Sequence, residues 1–446
     1  MSAAAPGEPH PPLSARRLRR ARVGAALLFL VNGAVFANLL PRLPEVKDAF
    51  GLSNTAFGLV VIAFPLGSIL AGTAPAPILR RVGSARAAVI GSVAIAALIA
   101  GAGAAGGLGG GLLVLLAYVI PLALAGVLDA VVDTAQNAQA LDVQRAMGRS
   151  ILNTMHALWS LGSVIGGLMG TAALALQVPL GVHLLLSGAL FSVVALVAGR
   201  STLTAAEATG IRSGALRAAP GPARDPAPDG APDSGPDPDP PAAPEQEVTE
   251  AAAAGVLRPA VGALLLIAVI AITGVMVEDV GQNWSALYLR QVLDAPLTLA
   301  GLGLVALMAA QFIGRLLGDP LIDRLGRVAM ARLGAVVIAA GIGLVVIAPV
   351  AAVGVLGFFL AGLGSATLVP SAYHAADEVP GLRTGTGLAV VSWLMRGAFL
   401  SLSPFVGAVS DVVGLRWALL VVPVVAVIAL CAAGALRDRT PSRPRR

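Results

Sequence analysis

The chain has 446 residues, of which 57% are hydrophobic and only 12% charged, about half the charge of an ordinary soluble protein. Repeated apolar runs of about 20 residues, each long enough to cross a hydrocarbon core of about 30 Å, make it an integral membrane protein. Open strands are excluded because lipid leaves their edges unpaired. The net charge of +6 comes from Arg clusters at the ends of apolar runs, which read as topology signals and not as a nucleic-acid surface. The fold class expected is all-α polytopic, with twelve transmembrane helices in two pseudo-symmetric six-helix bundles.

In chain order, residues 1–22 are read as a tail ending in Arg16, Arg17, Arg19, Arg20 and Arg22. Spans follow near 23–40, 55–78, 87–106, 112–136, 151–176 and 180–198, which gives a first bundle over 23–199. Residues 200–258 are rich in Pro, Ala and Asp and lack aromatics, so they are expected to form a disordered linker. Spans near 259–289, 297–317, 333–349, 353–373, 385–409 and 417–436 form the second bundle over 259–436, and 437–446 is a short basic tail. Arg80, Arg81 and Arg86, then Arg145 and Arg149, then Arg324, Arg327 and Arg332 fall in alternate loops. The positive-inside rule therefore predicts cytoplasmic termini in a cell (inner) membrane. The one cysteine, Cys431, lies in the last span and excludes a disulfide framework.

The fourth span holds the strongest polar signal, Leu124–Asn137, LAGVLDAVVDTAQN. Asp129, Asp133, Gln136 and Asn137 share one helix face. A carboxylate at mid-bilayer costs roughly 2.5–3.5 kcal/mol on insertion scales, so this stripe must face protein, water or a ligand. In the fifth span His156 is expected to neighbour Asp133, either to relay protons or to bond two helices. Gly162, Gly166 and Gly170 in the same span are a close-packing stripe. His183 is read as an outer-loop residue.

In the seventh span Glu278 with Gln282, and Asp279 with Asn283, are spaced i, i+4 before Trp284, whose ring suits a sugar's C–H face. Arg396 in the eleventh span stands deep in an apolar run. It is expected to pair with Asp129, Glu278 or Asp279, or to bind an anionic group on a substrate. Asn32, Trp159 and Trp393 are further cavity candidates. The proton-coupling set is Asp129, Asp133, His156, Glu278 and Asp279; the substrate set adds Asn32, Gln136, Asn137, Trp159, Gln282, Asn283, Trp284, Trp393 and Arg396.

Two stretches match between the halves: Pro77-Ile-Leu-Arg-Arg-Val-Gly83 with Pro320-Leu-Ile-Asp-Arg-Leu-Gly326, and Leu124-Ala-Gly126 with Leu360-Ala-Gly362. Repeats of this kind mark secondary transporters, with the site between them. Together with the long central linker and Gly318-Asp-Pro-Leu-Ile-Asp-Arg-Leu-Gly-Arg327, they resemble the major facilitator superfamily. The resemblance implies gating roles for Arg81, Gly83, Arg315, Asp319, Asp323, Arg324, Gly326 and Arg327. Leu40-Pro-Arg-Leu-Pro44, the acids of the fourth span and Glu278–Ser285 are similar to a bacterial branch related to fucose permease.

No G-x-S-x-G, H-E-x-x-H, P-loop or strand–glycine–helix unit occurs, so neither enzyme chemistry nor a cofactor or metal is expected. The leading expectation is a monomeric, proton-coupled symporter of a small polar, sugar-like solute. The alternative is a proton-coupled efflux antiporter for a drug or hydrophobic metabolite, and a third reading is a non-transporting membrane sensor.

Overall fold

In the computed structural model the described residues are 13–149, 151–218, 250–380, 382 and 385–437, leaving aside the side chains of 153, 214–218, 250–259 and 319. They are helical without strands, and eleven helices are long and apolar enough to span a membrane, twelve when one bent pair is counted as a span. The first six spans are α1 (Ala15–Ala37), α2 (Asn54–Leu70 with Pro75–Val82), α3 (Ser84–Leu108), α4 (Leu112–Met147), α5 (Leu152–Ala175) and α6 (Leu180–Gly199). The second six are α7 (Ala260–Gln291), α8 (Leu302–Leu325), α9 (Arg327–Ile347), α10 (Ala351–Asp377), α11 (Thr386–Val413) and α12 (Leu415–Leu436). The face where α1 begins and α12 ends is called here the terminal face.

Small residues let the helices approach to backbone distance. A Cβ at Gly162, Gly166 or Gly170 of α5 would collide with the α1 carbonyls of Leu30, Ala34 or Asn38, so the close-packing stripe read in the sequence is a backbone contact. Gly126 of α4 meets the Phe64 carbonyl of α2 in the same way. The tail is shorter than expected: α1 is already wound at Ala15, so its Arg residues ride on the helix. Span two bends by 64° between Leu70 and Pro75, where Gly72 has φ +50° and two prolines remove backbone donors.

Three inter-helix turns share one backbone geometry. Gly83 (φ 85°, ψ 148°), Gly326 (81°, 156°) and Gly414 (86°, 152°) each separate two helices. Each donates its N–H to the carbonyl four residues earlier, at 2.8–2.9 Å. Only glycine enters this region without strain. Gly83 and Gly326 lie at the terminal face, whereas Gly414, three spans beyond Gly326, lies at the opposite face, as expected of inverted three-helix units.

The linker expected from 200 onward opens with a helix, Ala205–Ala218; residues 219–249 lie outside the described residues. Thr204 and Glu207 form a capping box, with Glu207 N–H to Thr204 Oγ1 at 3.3 Å and Thr204 N–H to Glu207 Oε2 at 2.8 Å. Arg17 forks onto the Glu207 carboxylate at 2.6–2.7 Å while also donating to the Ser201 and Thr202 carbonyls. Arg212 pairs with the fully buried Asp142 at the end of α4, which raises its guanidinium's affinity for the proton.

The Arg17 hydrogen bonds hold the Glu207 carboxyl down at about 2 from a usual value of 4.5. A depressed acid contributes stability in full above its unfolded value and loses it as pH falls towards the folded one. Linker-helix docking is therefore expected to be intact above pH 4.5 and to weaken from there towards pH 2. Faster amide exchange across 205–213 in that window, absent in Glu207→Gln, is the expected observation. Equal exchange in both proteins counts against it.

Candidate functional site

Between the two bundles lies a cavity of about 400 Å³ lined from both halves, within the usual range for small-molecule sites of about 300–1,000 Å³. Asp129 reaches it from α4 and Asn32 from α1, with the Asn32 amide in hydrogen-bonding reach of the carboxylate. Gln136, two turns further along α4, does not line it. Gln136 is buried, donates to the Leu28 carbonyl at 3.1 Å and accepts from Asn32 at 3.5 Å, which ties α4 to α1.

Asp133 is one turn closer to the terminal face and is exposed. Its carboxylate accepts from Asn137 at 3.0 Å and lies within electrostatic reach of His156 and Arg396. His156 is exposed on α5, with its ring edge-on to Phe29 at 5.4 Å. The expected Asp133–His156 proximity thus takes the form of a field across α4 and α5, with no hydrogen bond joining the two among the described residues.

The acids of α7 separate by function of their position. Glu278 and Gln282 line the cavity, Gln282 donating to Glu278 at 3.1 Å. Asp279 is 0% exposed and points into the second bundle, where Ser403 Oγ of α11 donates to it at 2.8 Å and Asn283 at 2.9 Å. Trp284 Nε1 donates to the same Ser403 Oγ at 3.1 Å. Here α7 widens into a π-helical turn, Val280–Trp284, a feature common at functional sites. Asn283 keeps an edge in the cavity, but Trp284 is fully buried and packs edge-on to Phe57 of α2 at 5.3 Å. Its ring seals the seam between bundles and offers no stacking face to a ligand.

Arg396 lines the cavity from α11 and is exposed to it, making no hydrogen bond or ion pair among the described residues. Asp279 is bonded instead to Ser403 and Asn283, and no ion pair joins Arg396 to Asp129, Glu278 or Asp279 among the described residues. Trp159 and Tyr373 also line the cavity, whereas Trp393 is 65% exposed and outside the lining. Among the gating candidates, Arg315 donates across the bundles to Ser160 of α5 at 2.6 Å, not to Asp323. Arg327 binds Glu378 at 2.9 Å and His374 at 3.2 Å within the second bundle. Arg81, Asp323 and Arg324 are exposed at the terminal face beside Gly83 and Gly326, and the Asp319 side chain lies outside the described residues.

At the face opposite the termini the bundles are locked by residues the sequence reading missed. Asp411 of α11 caps α2, accepting from the N–H of Asn54 and of Thr55 at 2.9 Å and from Thr55 Oγ1 at 2.6 Å. A carboxylate at a helix N-terminus meets orphan donors and a positive dipole end. The signal was present: Asp411 precedes Gly414 by the same three residues that separate Asp323 from Gly326. Arg290 pairs with Asp48 at 3.2 Å on the same face. Gly58 packs on the Ser403 carbonyl and Gly407 on that of Asn54, so α2 and α11 touch backbone to backbone. Deeper in α6, His183 proves buried and not in a loop, bonded to Asn38 at 3.0 Å and facing Arg42 Nη1 at 3.4 Å. The cross-bundle hydrogen bonds and ion pairs among the described residues therefore lie at this face, apart from Arg315–Ser160 at mid-depth.

The sequence profile of the Major Facilitator Superfamily matches residues 260–446. An uncharacterised transporter of Sinorhizobium fredii is 27% identical, covering 95% of this chain and 100% of its own. Among solved structures, a D-xylose-proton symporter superposes with a TM-score of 0.65 at 16% identity, over 95% of this chain and 98% of its own. The transporter FucP in its outward conformation gives 0.55 at 16% identity, over 94% and 99%; at such identities these likenesses establish the fold. The profile match on the second bundle, the end-to-end likeness to an uncharacterised transporter and the shared fold make the chain similar to the major facilitator superfamily over its whole length.

Proposed function

We propose that this transporter is driven by protons and moves a small polar solute by alternating access, with Asp129 as the protonation site. The observation that carries the reading is a carboxylate on a spanning helix that opens into a cavity shared by both bundles. In the ionised state Asp129 is a fixed charge at depth, which disfavours the rearrangement that would seal it away from water. Protonation removes that cost and permits the bundles to rock with solute and proton bound together. Glu278 with Gln282 on the facing wall, and Asn32 and Ser163 on the first bundle, supply hydrogen bonds suited to hydroxyls. With the termini cytoplasmic and the protein a monomer in the cell membrane, the locked face is the outer one and this state faces the cytoplasm.

The aromatic part of the wall, Phe36, Phe64, Trp159 and Phe399, supports a second reading, proton-coupled export of a hydrophobic compound. One experiment separates the two. Purified protein in proteoliposomes, given an inward pH gradient and a panel of sugars, polyols and organic acids, is expected to accumulate solute and acidify the lumen. Outward solute movement coupled to proton entry would favour export, and absence of gradient-dependent flux for every compound sinks both.

A further inference from the structure

The polar groups around the cavity are unevenly satisfied. Asp129 lies within reach of the Asn32 amide, Glu278 accepts from Gln282, and Asp133 accepts from Asn137. Arg396, with five N–H donors in a planar fork, has no hydrogen bond and no ion pair among the described residues, and its side chain is exposed to the cavity. The Asp133 carboxylate lies within electrostatic reach of Arg396 without bonding to it, so the unmet capacity is that of the donor fork, and the matching ligand group is an anionic acceptor.

We infer that Arg396 is an anion subsite and that the solute carried is an organic monocarboxylate. This rests on the transport reading above and names its substrate class. A guanidinium binds a carboxylate through two parallel N–H···O bonds, a geometry that a neutral hydroxyl cannot reproduce. The same cavity holds Asp129 and Glu278, and two acids beside one Arg repel a phosphate, which carries about −1.5 to −2 charges at neutral pH. A single negative charge fits: it fills the Arg396 fork and adds the least repulsion to the acids. Trp159 and Phe64 flank the remaining space, so the body of the solute is compact and carries some apolar surface.

The test uses matched probes: gluconate against sorbitol, glucuronate against glucose, and glucose 6-phosphate as the phosphate arm. Binding is read by thermal stabilisation of the purified full chain without any pH gradient, and transport by uptake into proteoliposomes with one. A carboxylate is expected to bind at least about tenfold more tightly than its neutral partner, and R396Q to remove that preference without weakening the neutral compound, a change of about 1.4 kcal/mol or more. R396K, which keeps the charge but not the fork, carries the test should R396Q fail to fold; it is expected to retain part of the preference. Equal binding of the two members of each pair, equal loss of both in R396Q, an undiminished preference in both variants, or preference for the phosphate overturns the inference. A carboxylate preference without proton-driven flux would instead remove proton coupling and leave the subsite standing, so the two failures are distinguishable.

Discussion

Asp129→Asn is expected to abolish solute accumulation driven by a pH gradient while leaving solute exchange at equal concentrations running. Asn has the shape of Asp and can still meet the Asn32 amide, but it binds no proton at any working pH. If the proton travels on this group, the charge that ties movement to the gradient is gone. The driven initial rate should fall at least about 100-fold, equivalent to about 2.7 kcal/mol. Counterflow of labelled solute should change by a few-fold only, because a permanently neutral side chain imitates the protonated state and lets the loaded carrier rock. Asp133→Asn is the control: it keeps the Asn137 contact, alters the field at His156, and is expected to shift the pH profile without removing accumulation. Undiminished accumulation in Asp129→Asn would transfer the coupling role elsewhere. Loss of counterflow as well would make Asp129 a packing or binding residue.

Valine in place of Gly58 or Gly407 is expected to hold the face opposite the termini open. Both glycines sit where α2 and α11 cross with backbone carbonyls in the place a Cβ would occupy. A branched side chain must push the helices apart, and this seam exists only when that face is shut. Spin labels at positions 52 and 412, in a Cys431→Ser background, should report a longer distance, and transport should drop by more than about tenfold because closure is lost. Asp411→Ala acts on the same seam more mildly. It removes the cap on α2, worth about 1 kcal/mol, and should move the conformational equilibrium about fivefold, whereas Asp411→Asn, itself a good cap, should change it little. Unchanged distances in both glycine variants would show that the seam yields elsewhere.

The architecture was legible because hydropathy and Arg spacing act over whole spans. The cavity stripe of α4 was legible for a related reason: acids in an apolar helix have few places to go. Adjacent acids were harder. Glu278 and Asp279 differ by about 100° around the helix, and nothing local decides which faces the cavity until Ser403 of α11, more than a hundred residues away, claims Asp279. Trp284 looked like a stacking platform, but its indole N–H had the same distant partner. The linker helix was hidden by composition: the Pro- and Asp-rich stretch after it set the average, while the capping box Thr204-Ala-Ala-Glu207 that starts it is a four-residue signal. Asp411 escaped notice as a charge at a helix end, where acids are ordinary; its partner, the start of α2, comes from the other bundle.

The three glycine turns also bear on where the molecule can flex. Gly83, Gly326 and Gly414 hold their flanking helices through one fixed backbone shape, each pinned by a hydrogen bond to the turn before. Such corners behave as brackets, and a bracket passes torque from one helix to the next without absorbing it. Pliability is left to places inside the spans: the 64° elbow of α2 and the wide turn of α7. Both belong to helices that line the cavity, so a solute pressing on its walls bears on the pliable segments themselves, while the corners carry the resulting rotation out to the ends of the bundles.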